Sequence, residues 1–405
     1  MSSSPSPLSV APMIQWTTPS YRYLFRSISL TPLLYTEMIT SHHLLNRYTR
    51  TSDLPWLFEH PHVPNVAVQL GGGGPSETLE DFITSADLCI TNGTYTELNI
   101  NSGCPASKAQ KSHCGLKHML RTSRIPFQGL LKELSRRFDH RVKLSVKHRI
   151  GVYPDVCGVD NLLDYVRTVH EAGIKKVIVH SRIGVLGGMS TGENRNVPPL
   201  VYGVVERVKR EFGGVEVVVN GGITCWREVE GFLGGGYGGV RGGPGGLEGE
   251  KSIYGTLDDW GLEGDGGIVG GAPVDGVMIG RKAYNDVGFF WDADSRFCGR
   301  PDQNFTWSKI TSDYCSTMED RVPSIGLVEC VKPLHNIFCG QRRNKEYKRK
   351  VDKEVNEWKK EKRRIDNGGV GRVETVAEVM EKCFEVVDCM GMTVGESREL
   401  IMTDK

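Results

Sequence analysis

Cys104 is the thiol in this chain best placed for chemistry. It sits in the stretch NINSGCP (99–105), in a Gly-Cys-Pro turn just past an apolar run. A thiol there can act as acid or nucleophile, from an ordinary pKa near ~8.5. Cys89, Cys225 and Cys383 read instead as small buried apolar residues. Lys147 and His180 close two later apolar runs. A cation and an imidazole there could stabilise negative charge building on a planar redox ring such as flavin, with the Gln69 amide pairing with an imide-like edge. A salt bridge for Lys147 and a satisfied histidine for His180 are the plain alternatives. Asn220-Gly221-Gly222 and Gly280-Arg281 are two short loops whose backbone N–H groups could cradle a phosphate, Arg281 adding charge.

These groups need a frame that brings distant loops to one place. Short runs rich in Val, Ile and Leu occur at 8–13, 33–38, 66–72, 97–103, 143–151, 176–182, 216–222 and 276–282. Such runs suit strands buried on both faces. Segments of helical spacing lie between them, for example 161–172, with Leu162, Leu163, Val166 and Val169 on one face and Gly173 as the stop. The expected fold is a (β/α)₈ TIM barrel followed by a small all-helical domain, with a doubly wound sheet as the alternative. The expected division is 1–295 for the barrel and 296–405 for the helices. In a barrel the chemistry gathers at the C-terminal ends of the strands, where all the groups above fall.

Composition excludes several classes. Lys plus Arg is 50 against 49 Asp plus Glu, for a net charge of +1 in 405 residues, so global charge names no partner. No apolar run reaches about 18 residues, so no membrane helix is expected. The 11 cysteines contain no CxxC, which indicates neither a disulfide framework nor a metal site. The opening MSSSPSP lacks a secretory or transit pattern, and the expected location is the cytoplasm, or an organelle should the N-terminus be incomplete. Of the 49 glycines, 18 fall within 231–272, which reads as a flexible insertion at about 234–272. Residues 341–364 carry 12 Lys or Arg against 5 Asp or Glu. That excess leans towards a polyanion, a solvated helix laced with ion pairs being the alternative.

At these residues the chain resembles the tRNA-dihydrouridine synthases, most closely the A-type subfamily. The shared stretches are APMIQWTTPSYRYLFR (11–26), LLYTEM (33–38), VAVQLGG (66–72) and ELNINSGCPASKAQ (97–110). They continue with VKHRIG (146–151), VHSR (179–182), ENRNVPPL (193–200), VNGGI (219–223) and DGVMIGRKAY (275–284). The resemblance implies FMN across the barrel mouth. Pro12, Met13 and Ile14 would contact it through the backbone; Gln69, Lys147 and His180 would hold the ring. Asn220, Gly221, Gly222, Gly280 and Arg281 would hold the phosphate. It further implies NADPH as reductant, Cys104 as proton donor, and D-loop uridines 20 and 20a of tRNA as substrate, with Asn101, Arg195, Lys345 and Lys348 on the tRNA. No other protein partner is implied.

Two other functions suit parts of the pattern: a flavin barrel reducing a free dihydroorotate- or dihydropyrimidine-type molecule, and a non-catalytic RNA-binding relative. The first has no use for residues 341–364; the second has none for Cys104, Lys147 and Arg281. The chain departs from the family's Phe-Gly-Ala-x-Leu-Met run, reading Cys114-Gly-Leu-Lys-His-Met119. The expectation is weaker packing beneath the Cys104 loop.

Overall fold

Eight apolar runs close into one parallel barrel. In the computed structural model the strands are β1 (Leu8–Val10), β2 (Leu33–Thr40), β3 (Val66–Gly71), β4 (Glu97–Ser102), β5 (Lys143–Arg149), β6 (Lys176–His180), β7 (Glu216–Asn220) and β8 (Gly276–Ile279). Each pairs in parallel with its sequence neighbours, and β1 pairs with both β2 and β8, which shuts the ring. A doubly wound sheet is thereby excluded. The structure describes residues 6–51, 63–74, 77–107, 109, 114–236, 240–241, 272–303, 306–340, 344–368 and 370–388. Most of the glycine-rich insertion at 234–272 lies outside them.

Local chemistry explains the helices between strands. Thr78 and Asp81 form a capping box at the start of Leu79–Asn92, satisfying two of the N–H groups a helix start leaves orphaned. The helix expected at 161–172 spans Val159–Glu171 and buries Leu162, Leu163, Tyr165, Val166 and Val169. Gly173 follows at φ +95°, a backbone shape that disfavours other residues. Cys225 departs from expectation. It is exposed, because it occupies the N-cap position of the helix Trp226–Gly234 rather than an interior one.

The described chain forms two compact units, one of Ser4–Gln15 with Pro32–Gly280 and one of Trp16–Thr31 with Arg281–Lys405. The barrel makes up the first. In the second, Asp294 accepts hydrogen bonds from Ser29 Oγ (2.7 Å), Leu30 N (2.8 Å), Thr31 N (3.0 Å) and Thr31 Oγ1 (2.8 Å). Its longest described helix, Asn344–Asp366, buries Tyr347, Val351, Val355 and Trp358. Along that helix Lys350–Glu354 (2.7 Å), Lys353–Glu357 (3.8 Å) and Lys362–Asp366 (3.6 Å) form i,i+4 ion pairs.

Candidate active site

Strand register builds the site in layers. Gln69 stands beside Asn99, Asn99 beside Ser145, and Asn101 beside Lys147. Residues two apart on a strand share a face, so Glu97, Asn99 and Asn101 form one column of polar side chains. The hydrogen bonds run along it. Ser145 Oγ and the Tyr35 hydroxyl donate to Glu97 Oε1. Asn99 Nδ2 donates to Ser145 Oγ at 2.6 Å, and Gln69 Nε2 to Asn99 Oδ1 at 2.7 Å. Asn101 Nδ2 then donates to Gln69 Oε1 at 2.9 Å. The column ends at the Cys104 turn: Asn101 Oδ1 accepts from Gly103 N (3.1 Å) and Cys104 N (3.0 Å).

The other side of Cys104 is fixed as well. Its carbonyl accepts from Leu116 N at 3.0 Å. Gly115 permits this approach. At φ +62°, a Cβ there would lie 2.7 Å from the Cys104 carbonyl oxygen and 3.2 Å from Cys104 Cβ. The thiol lies half-buried. Burial pushes it above the ordinary range, while the Ala106 amide and the charges of Arg149, Lys147 and Arg195 pull the other way. The net result is a protonated thiol at neutral pH, which suits an acid.

Lys147 lies at the same mouth. Burial and the neighbouring Arg149 hold its ammonium down to about 7, with Cys104 opposing. Its structure-specific neighbours are cations and a thiol, and no ion pair is formed with it among the described residues. His180 lies beside the loop after β7, where a Cβ on Gly221 would come 2.7 Å from its ring. Gly221 and Gly222 take φ +117° and +69°, a backbone shape that side-chain-bearing residues rarely adopt. Tyr202 steadies it by donating to the Gly221 carbonyl at 2.6 Å. Asn220 is tied to the Met278 carbonyl at 2.8 Å.

Residues 9–245 match the family described as dihydrouridine synthase. The chain is 38% identical over 300 residues to the tRNA-dihydrouridine(20/20a) synthase of Pseudomonas syringae pv. tomato, covering 72% of this chain and 71% of that one. It is 36% identical over 302 residues to the like-named protein of Pseudomonas aeruginosa, covering 72% of each. With that of Synechocystis the figure is 28% over 352 residues, 86% of this chain and 89% of the relative. This chain belongs to the dihydrouridine synthase family.

The structure brings Gln69, Asn101, Cys104, Lys147 and Arg195 to one mouth, with His180 and Gly221 adjoining. Pro12, Met13 and Ile14 follow β1, and Ile14 is 58% exposed. Gly280 follows β8 with open space where a side chain would stand, its nearest neighbour being Ala11 Cβ at 3.8 Å. Arg281, Lys345 and Lys348 belong to the other compact unit. There Arg281 opens the helix Arg281–Asn285 and Lys345 is exposed. Lys348 Nζ donates to Asn336 Oδ1 at 2.9 Å.

The Cys114–Met119 departure is a short 3₁₀ segment, Gly115–Met119. His118 is 2% exposed, stacks on Phe127 at 4.3 Å and bonds the Gly72 carbonyl at 2.9 Å. Burial holds it down to about 4, so it is a neutral packing ring. Sequence reasoning left out Glu97, Asn99 and Ser145 from the site. The alternation Glu97, Asn99, Asn101 is the signal that could have found them.

Proposed function

We propose that this chain reduces uridine to 5,6-dihydrouridine in the D-loop of tRNA, at positions 20 and 20a, using FMN and NADPH, with Cys104 as the proton donor. The observation carrying this reading is the turn itself: a half-buried thiol in a Gly-Cys-Pro setting, its backbone pinned on both sides. The mouth suits a flavin. Lys147 has no carboxylate partner among the described residues, its ammonium being held down to about 7, and the glycine-only turn at Gly221 and Gly222 with the uncrowded Gly280 suits a phosphate.

Pro12, Met13 and Ile14 would line the ring, Gln69, Lys147 and His180 would hold it, and Asn220, Gly221, Gly222 and Gly280 would hold the phosphate end. FMN, when bound, supplies the hydride taken up at uracil C6. Cys104 Sγ holds the proton delivered to C5. Gln69 has one N–H and one lone pair left after serving Asn99 and Asn101, enough to address the ring edge. Asn101 has spent both lone pairs of Oδ1 and keeps one N–H, which suits a pyrimidine carbonyl. Arg195, exposed and electrostatically coupled to Cys104, would meet the substrate backbone. A base must be unstacked to enter, at a cost of a few kcal/mol, and phosphate contacts offset it. In the helical region 296–405, Lys345 and Lys348 are assigned to such contacts.

Purified protein with FMN, NADPH and dihydrouridine-free tRNA should add, for each uridine reduced, about 2 Da to a D-loop fragment containing positions 20 and 20a. An unchanged fragment, with flavin bound and reduced, would overturn the reading. Lys345→Ala with Lys348→Ala should flatten the salt dependence of tRNA binding by roughly one log unit of slope per contact.

A further inference from the structure

We infer that Arg149 is a positioning residue that clamps the Cys104 turn to the loop carrying Arg195, so that proton donor and substrate-facing cation are held as one piece. This rests on the function proposed above. Arg149 is 3% exposed. Its Nε donates to the Gly103 carbonyl at 3.2 Å, and its Nη1 to the carbonyls of Ile183 and Asn194, each at 2.9 Å. The three acceptors belong to three segments: the residue before the thiol, the loop after β6, and the residue before Arg195.

A buried guanidinium normally sits against a carboxylate, because desolvating an unpaired charge costs several kcal/mol. Arg149 forms no such pair among the described residues. Its acceptors are carbonyl dipoles, and its titratable neighbours are the Cys104 thiol and the cationic side chains of Lys147, Arg182 and Arg195. Retaining the charge here serves the geometry of the mouth. Asn194 completes the clamp. It is fully buried and folds its loop back by accepting from Val185 N at 2.8 Å and donating to the Val185 carbonyl at 3.1 Å. Only a planar fork can bridge three carbonyls in fixed directions; a lysine ammonium keeps the charge without that geometry.

The groups facing Cys104 are Lys147, Arg149, Arg195 and the Cys114 thiol. Arg149→Gln and Arg149→Lys separate charge from geometry. The readouts are the pH dependence of Cys104 alkylation by iodoacetamide, mapped to its peptide by mass, and single-turnover uridine reduction by pre-reduced enzyme. Arg149→Gln should raise the alkylation midpoint by about one pH unit, as loss of a neighbouring cation does, and slow reduction roughly 100-fold. Arg149→Lys should leave the midpoint near wild type yet slow reduction about tenfold. NADPH should reduce the flavin at the wild-type rate in both.

An unshifted midpoint in Arg149→Gln, or reduction within twofold of wild type in Arg149→Lys, overturns the clamp. If Arg149→Gln does not fold, the Arg149→Lys rate alone decides. If the wild-type protein leaves tRNA unchanged, the proposed function fails, while the alkylation titration still judges whether Arg149 governs Cys104.

Discussion

The barrel interior is two different materials. At mid-height around β1, β7, β8 and β6 the inward residues include Ala11, Val218, Met278 and Ile178, joined by Tyr35 and Ala67 in one buried apolar cluster. Around β3, β4 and β5 they are Gln69, Glu97, Asn99, Asn101, Ser145 and Lys147, joined by hydrogen bonds that end at the Cys104 turn. The apolar side gains stability from area removed from water, without fixed direction. The polar side gains less on balance, since each buried hydrogen bond nets about 1 kcal/mol. What it adds is direction. A chain of amides has few ways to satisfy itself, and the one observed fixes Asn101 and with it two N–H groups of the turn.

The root of the polar side is an ion pair. Lys176 Nζ lies 2.8 Å from Glu97 and 3.2 Å from Glu216, with the Lys176 and Glu97 side chains 6% and 2% exposed. Burial alone would lower Lys176, but Glu97 and Glu216 outweigh it and hold the ammonium above its ordinary range. The Tyr35 hydroxyl is pushed far up, by burial and then by Glu97, so it donates and stays neutral. Removing one partner should therefore give the largest effect in the molecule. Lys176→Met strands Glu97 beside Tyr35 and should cost about 3–5 kcal/mol in urea unfolding. A loss below 1 kcal/mol would mean the column does not depend on its root.

The matching cut on the apolar side is Ile178→Ala, expected to cost about 2–5 kcal/mol through lost burial and a cavity. Its distinguishing result is functional. Alkylation of Cys104 in the folded variant should follow the wild-type pH curve, because no hydrogen bond to the turn passes through Ile178. A shifted curve would erase the distinction between the two sides.

A smaller effect comes from His118, packed under the turn. Its folded value of about 4 lies below the ordinary 6.5. Between these values the unfolded chain takes up a proton that the native state refuses, so stability falls as pH drops from 6.5 towards 4. From pH 7 to pH 5 this amounts to on the order of 2 kcal/mol. His118→Leu should lose that much less over the same interval. Equal losses in both proteins would show that His118 is charged in place.

The apolar side was legible in the sequence, and the polar side only at its upper end. Runs such as VAVQLG and EVVVN announce strands because continuous apolar stretches suit burial on both faces. The Cys104 turn stood out because Gly-Cys-Pro ends such a run. Glu97, Lys176 and Glu216 were hidden because a charged residue opening a strand looks like the solvated end of the preceding loop. The Arg149 clamp was hidden for another reason: its acceptors are backbone carbonyls, which carry no residue identity. Cys225 misled because cysteine usually packs inside, whereas this one fell at a helix start.

Pre-reduced FMN-loaded Cys104→Ala should be mixed with dihydrouridine-free tRNA under anaerobic conditions and the oxidation of its flavin followed at 450 nm. The expected result is NADPH reduction at the wild-type rate, tRNA binding preserved, and oxidation by tRNA slowed by about 100-fold or more, the scale of a lost general acid. Oxidation at the wild-type rate, with dihydrouridine formed, would contradict Cys104 as the proton donor.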